Sequence, residues 1–138
     1  LSRGFQTVHI FNRTVEKAKK IADGFGVRTI AHSWDDLGDY MGKADLLVNT
    51  TSLGMAGKPP LEIDLSDLPK SAIVTDAIYV PLKTELLKKA EARGNRTVDG
   101  LGMLLHQAVP GFERWFGVRP DVDDALRTLI LDDLEMNG

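Results

Sequence analysis

The sequence contains no cysteine. That excludes disulfides, thiolate nucleophiles and cysteine-ligated zinc. No hydrophobic run approaches the roughly 18 residues of a transmembrane helix. A strong excess of one charge is missing too: 17 Lys and Arg stand against 20 Asp and Glu, for a net charge of −3. This balance argues against a general nucleic-acid or polybasic membrane surface, while leaving room for a local basic pocket. The three histidines, His9, His32 and His106, have no metal-like spacing. No Ser/His/Asp arrangement stands out, no metal site is expected, and there are no repeats or low-complexity segments.

What remains is a globular composition, 43% apolar and 27% charged over 138 residues. That length suits one domain and is too short for two of ordinary size. The chain does not begin with Met, and the reading is of a piece whose natural start lies upstream. Leu1-Ser2-Arg3-Gly4 is not followed by an apolar stretch, so no signal peptide is expected. Asn12-Arg13-Thr14, Asn49-Thr50-Thr51 and Asn95-Arg96-Thr97 match the N-glycosylation pattern and read as incidental.

Along the chain, strand and helix patterns alternate. Residues 6–11 read as a strand, rich in β-branched and aromatic side chains. From Val15 the period becomes helical, with Val15, Ala18, Ile21, Ala22 and Phe25 on one side, Thr14 as N-cap and Gly26 as stop. Residues 27–30 form a brief strand. Ser33 and Asp36 have capping-box spacing at the start of a short helix. The run "DLLVN" at 45–49 suggests a strand covered on both faces. Residues 50–60 are a loop by their Gly and Pro content, and 72–75 another buried strand. Pro81 suits the first position of a helix, whose apolar face is Leu82, Leu86, Leu87 and Ala90 and whose end is Gly94. After a short strand at 95–98 comes an apolar helix at 101–116, which Pro110 is expected to kink or interrupt. Asp121 is expected to cap a last helix over 121–136, with Asp123 and Asp124 favouring its positive end.

This alternation argues an α/β fold with a mostly parallel sheet and helices on both faces. Such sheets bind ligands at the carboxyl ends of their strands. Four loops here follow strands: Asn12-Arg13-Thr14, residues 49–55, residues 76–79 and residues 99–103. They are expected to line one rim. Asn12, Arg13 and Thr14 offer an amide, a guanidinium and a hydroxyl at a helix start, with Lys17 one turn on. Together they could clamp a phosphate, which at the second strand of a dinucleotide unit would be the 2′-phosphate of NADP. The alternative is a solvated Arg beside an N-capping Thr, and the tripeptide does not choose between them. The hydroxyls of the 49–55 loop could meet a ribose or phosphate, or merely make a turn. Gly100 and Gly102 would let a flat ligand approach the backbone, or serve turn geometry alone. Tyr79 could be simply half-buried. Gln107, among apolar neighbours, wants a backbone or ligand partner.

Taken together, "NRT" at 12–14 with Lys17, "NTTSLGM" at 49–55, "DAIYVPLKTELLKKAEARG" at 76–94 and "DGLGMLLHQAVPGFERWFG" at 99–117 resemble the carboxyl-terminal domain of the shikimate dehydrogenase family. The likeness runs in order and spacing over nearly the whole chain. It implies a Rossmann-like three-layer sandwich, present here as one partial NADP-binding domain over residues 1–138, without its first strand and glycine-rich loop. It also implies a cytoplasmic enzyme of aromatic amino-acid biosynthesis that reduces 3-dehydroshikimate to shikimate with NADPH. By the same resemblance, Asn12, Arg13, Thr14 and Lys17 hold the 2′-phosphate and its ribose. Family members often carry Arg at the Lys17 position. Thr51 and Ser52 lie along the nicotinamide half. Ala77, where a larger apolar residue is common, Gly100 and Met103 meet the nicotinamide. Tyr79 reaches the substrate carboxylate and Gln107 a ring hydroxyl. The family's catalytic Lys and Asp belong to an amino-terminal domain outside this chain, so the chain alone is expected to be inactive. A quinate/shikimate dehydrogenase and a non-catalytic nucleotide-binding module are the competing readings. Only small-molecule partners are expected, beyond self-association through edges that a partial sheet exposes.

Overall fold

The structure, a computed structural model, describes the backbone of residues 4–137 and the side chains of residues 4–134. The expectation resting on residues 1–3 lies outside the described residues. The chain divides into two compact units, Leu1–Ala44 with Ser66–Leu68, and Asp45–Leu65 with Pro69–Gly138.

In the smaller unit, β1 (Val8–Asn12) pairs in parallel with β2 (Thr29–Ser33), Val8 opposite Thr29 and Asn12 opposite Ser33. Helix α1 (Val15–Asp23) makes the crossover and buries Ala18 and Ala22 against the pair. Small residues on that face let the helix lie close to the strands. The 3-10 turn Trp34–Asp36 and helix α2 (Leu37–Met41) follow. The Ser33–Asp36 capping box forms as the spacing predicts. Trp34, at its start, is half-buried.

In the larger unit, β3 (Leu46–Asn49), β4 (Ile73–Asp76) and β5 (Arg96–Val98) form a parallel sheet in the order β3-β4-β5. Central β4 is the most buried, with Val74 fully enclosed. Residues 50–72, between β3 and β4, contain no helix; Leu61 and Leu65 anchor this long connection in the core. Helix α3 (Glu85–Arg93) buries Leu86, Leu87 and Ala90, and ends at Gly94, whose φ of +90° is the left-handed geometry glycine favours. Helix α4 (Gly100–Phe116) and helix α5 (Asp124–Asn137) complete the unit.

Several local expectations are corrected. Pro81 does not begin a helix: α3 starts at Glu85, with Thr84 as N-cap accepting from the Leu87 N–H at 3.4 Å. A threonine hydroxyl supplies a cap that proline lacks. Pro110 does not interrupt α4, a single helix of 17 residues; one missing N–H removes only one rung of the ladder. The last helix begins at Asp124 rather than 121, and its cap is Asp123, accepting from the Leu126 N–H at 2.8 Å. A capping side chain accepts from an N–H two or three residues on, which puts Asp123 rather than Asp121 within reach of the first turn. Strand β3 is only half-covered, with Val48 exposed, because it is the outer strand of its sheet.

Candidate functional site

In the smaller unit, β1 ends on the tripeptide singled out by sequence. The Asn12 side-chain oxygen accepts from the Thr14 N–H at 2.9 Å, closing a turn that starts α1. Thr14 is the N-cap by position, but its own side chain makes no capping bond. Arg13 and Lys17 are exposed, and none of the described ion pairs uses either. Two cations at the N-terminus of a nine-residue helix, with no carboxylate partner among the described residues, form an anion-attracting corner.

The larger unit gathers the other three loops around one buried carboxylate. Asp76, at the end of β4, is 1% exposed. It accepts from Asn49 Nδ2 at 2.9 Å, the Ile78 N–H at 3.0 Å and Thr84 Oγ1 at 2.7 Å. Asn49 ends β3, and its own oxygen accepts from the Thr51 N–H at 3.0 Å and the Thr51 hydroxyl at 2.8 Å. Thr51 Oγ1 in turn accepts from the Leu53 N–H at 3.1 Å. The proton of Thr51 is thus committed inside the loop, leaving one lone pair for a ligand. Ser52 is exposed beside it. The Ala77 N–H donates to the Asn49 carbonyl at 2.9 Å, which ties the strand-end loops of β3 and β4 together.

Gly100 begins α4 in contact with the same region. Its N–H donates to the Ile78 carbonyl at 3.2 Å. A Cβ there would stand 2.4 Å from the Ala77 oxygen and 2.5 Å from the Ile78 oxygen, so no side chain fits. Asp99 caps the helix by accepting from the Leu101 N–H at 3.1 Å, and its other oxygen pairs with Arg127 of α5 at 2.6 Å. Gly100, Met103 and Gln107 recur at helical spacing on one face of α4. Met103 and Gln107 are exposed, so Gln107 faces solvent instead of an apolar surround. Ala77 and Tyr79 are half-buried. Further along α4, Phe112, Trp115 and Phe116 are exposed, Trp115 at 78%.

Three of the four expected loops are therefore tied together within the larger unit, while the Asn12-Arg13-Thr14 corner stands in the smaller one. Sequence reasoning missed Asp76, Asn49 and Thr84 as a network. The available signal was that two apolar strands each end on a side chain too polar to be buried alone.

Among the described residues, no group of three or more potential ligands is placed to hold a metal, and no helix is long and apolar enough to cross a membrane.

Parallel strands, helical crossovers from β1 to β2 and from β4 to β5, and polar or glycine-bearing loops at the strands' carboxyl ends place the chain in the doubly wound α/β class, the architecture of dinucleotide-binding domains. Comparison with known proteins narrows this. The family model described as "Shikimate / quinate 5-dehydrogenase" matches residues 1–56, and that described as "Shikimate 5'-dehydrogenase C-terminal domain" matches residues 100–130. The shikimate dehydrogenase (NADP(+)) of Chelativorans sp. (strain BNC1) is 60% identical over 134 residues, covering 97% of this chain and 48% of that protein. The enzyme of the same name from Rhizobium meliloti (strain 1021) is 57% identical over 136 residues, 99% of this chain and 48% of its own length. Among solved structures, quinate dehydrogenase from Corynebacterium glutamicum in complex with NAD is similar with a TM-score of 0.85 at 34% identity, covering 95% of this chain and 48% of that one. Shikimate 5-dehydrogenase from Thermus thermophilus in complex with NADP(H) and shikimate gives 0.72 at 31% identity, covering 87% and 43%. Along nearly its whole length the chain is similar to shikimate dehydrogenases, the family whose likeness the four motifs together implied. It spans about half the length of the curated relatives it matches.

Proposed function

We propose that the protein carrying this chain is an NADP-dependent shikimate dehydrogenase, reducing 3-dehydroshikimate to shikimate with NADPH on the cytoplasmic route to chorismate and the aromatic amino acids. The observation that carries this reading is 60% identity across 97% of the chain to an enzyme of that name. The free cations Arg13 and Lys17 support the choice of cofactor, because a 2′-phosphate needs an uncommitted positive charge. Residues 1–138 are read as part of the NADP-binding domain, with the catalytic Lys and Asp supplied by an amino-terminal domain.

On this reading Asn12, Arg13, Thr14 and Lys17 hold the adenosine 2′-phosphate and ribose. Thr51, through its remaining lone pair, and Ser52 line the nicotinamide half, and Ala77 and Met103 flank the ring. The Gly100 N–H is already given to Ile78 and its carbonyl enters the ladder of α4, so what the Gly100 backbone offers the carboxamide is the second lone pair of that carbonyl. Tyr79 addresses the substrate carboxylate and Gln107 a ring hydroxyl. NADPH, when bound, supplies the hydride. This chain's residues bind and orient, and the isolated chain is inactive because it lacks the proton donor. The partners are small molecules, with neither nucleic acid nor membrane involved. Self-association of the isolated chain occurs through its open strand edges.

The test is oxidation of shikimate by the full-length protein. Turnover with NADP⁺ and much weaker turnover with NAD⁺ is expected, and equal rates with both would sink the role of Arg13 and Lys17. Likeness to the quinate dehydrogenase bound to NAD favours a second reading, a quinate/shikimate dehydrogenase. Quinate oxidation at a rate comparable to shikimate would establish it.

A further inference from the structure

We propose that Asp76 is a positioning residue, whose buried carboxylate fixes the three loops assigned above to the nicotinamide and the substrate. The proposal rests on that functional reading and adds a residue to it.

The connections run in three directions from one side chain. Through Asn49 Nδ2, Asp76 holds the amide whose oxygen grips both polar groups of Thr51. Asn49 Nδ2 also donates to the Leu53 carbonyl at 3.2 Å, so both ends of the 51–53 turn answer to one amide orientation. Through the Ile78 N–H, Asp76 folds back the chain between Ala77 and Tyr79, and the Ile78 carbonyl then receives the Gly100 N–H at the start of α4. Through Thr84 Oγ1 it fixes the N-cap of α3, beyond the turn that follows Tyr79.

A carboxylate suits all three partners as they stand in this structure. Each of the three partners donates, and a carboxylate is the side chain that accepts on both oxygens without presenting a proton of its own. The amide flip of Asn49 is set the same way: its NH₂ must face the acid, which turns its oxygen towards Thr51. Remove the charge and Asn49 keeps its bonds to Thr51 and the Leu53 carbonyl but is held less firmly to the end of β4. The Thr51 turn and the Ala77–Tyr79 segment then lose their common reference. Asp76 itself is buried, so its influence on a ligand passes through these neighbours.

The experiment uses the full-length protein with Asp76→Asn, Thr84→Val and Thr84→Ser. Two quantities are read: kcat for shikimate oxidation with NADP⁺, and the dissociation constant of adenosine 2′,5′-bisphosphate, which carries the 2′-phosphate but no nicotinamide. Asp76→Asn is expected to lower kcat on the order of 10- to 100-fold, the scale of a misplacement near 1 Å, while bisphosphate affinity stays within about twofold. Thr84→Val lowers kcat in the same direction and Thr84→Ser restores it. A kcat unchanged by Asp76→Asn overturns the proposal. So does parallel loss of kcat and bisphosphate binding, the mark of general damage. Should Asp76→Asn fail to fold, the Thr84 pair decides: equal kcat in the Val and Ser variants overturns the proposal, and a loss confined to Val supports it. Failure of the unsubstituted protein to oxidise shikimate at all would instead overturn the functional reading.

Discussion

The strand-end loops of the two units are built by opposite means. The smaller presents charge. Arg13 and Lys17 stand exposed over a helix start, tied down by little beyond one Asn12 turn. The larger presents shape. Its loops hang from a carboxylate that is 1% exposed and satisfied by three donors. Their cores differ in the same sense. Among the described residues, buried apolar side chains in the smaller unit are Ala18, Ala22, Met41 and Leu68. The larger buries ten, including Leu61, Val74, Leu87 and Leu101. An exposed charge selects a ligand through a field that needs no exact geometry. A hydrogen-bonded rim selects through distances, and requires the deeper core to keep them.

That contrast can be broken most severely at Gly100. Gly100→Ala places a methyl within 2.4 Å of the Ala77 oxygen, so backbone must move at the rim. A loss of about 3 kcal/mol or more is expected in urea unfolding of the full-length protein, at the upper end for overpacking. A loss below about 1 kcal/mol would show the contact to be soft. Arg13→Ala tests the other unit. The NADP⁺ KM is expected to rise roughly tenfold or more, with kcat and the NAD⁺ kinetics held. The effect shrinks as salt is added, because the site is exposed. A kcat defect with unchanged KM would mean that Arg13 acts on geometry, and the contrast between the units would fail. Asp99→Ala removes a cap and the partner of Arg127 together. It is expected to cost about 1–2 kcal/mol in the same urea titration.

The smallest effect is a pH dependence in the smaller unit. His9 Nδ1 and His32 Nε2 lie 2.9 Å apart, at hydrogen-bond distance. Both rings pack on Tyr40. Desolvation of the packed ring, then the charge of His32 and of Lys43, hold His9 below its ordinary value of 6.5. The folded state therefore binds this proton less readily than the unfolded chain. The stability linked to His9 is complete above about pH 6.5 and is lost as pH falls through the lower folded value. Thermal midpoints between pH 8 and 5 should fall less steeply in His9→Phe than in the parent. Identical slopes would remove His9 from the account.

How much of this was legible in the sequence follows the same division. Helix and strand periods placed every described helix and strand to within a few residues, because apolar spacing is a local property. The Arg13 corner was legible for the same reason, since charge and strand end are adjacent in the chain. The misplaced boundaries concern caps. Thr84 outcompetes Pro81, and Asp123 outcompetes Asp121, by the reach of one side chain to one N–H. The Asp76 network was not legible. Asn49 and Thr84 lie 27 and 8 residues from Asp76 along the chain, and only the folded register brings them together. Gly100 was marked as a place for close approach. What approaches in this structure is the Ala77–Ile78 backbone.

The placement of the two tryptophans has a spectroscopic consequence. Trp34 is half-buried in the smaller unit, and Trp115 is 78% exposed in the larger. With one indole in each unit, Trp34→Phe and Trp115→Phe give two single-reporter proteins from one chain. The emission of Trp115 starts near that of free indole in water, so a blue shift reports anything that settles on the end of α4. The emission of Trp34 moves red only when its own unit opens. Recorded side by side during a denaturant titration, the two colours tell whether the units melt together or in turn.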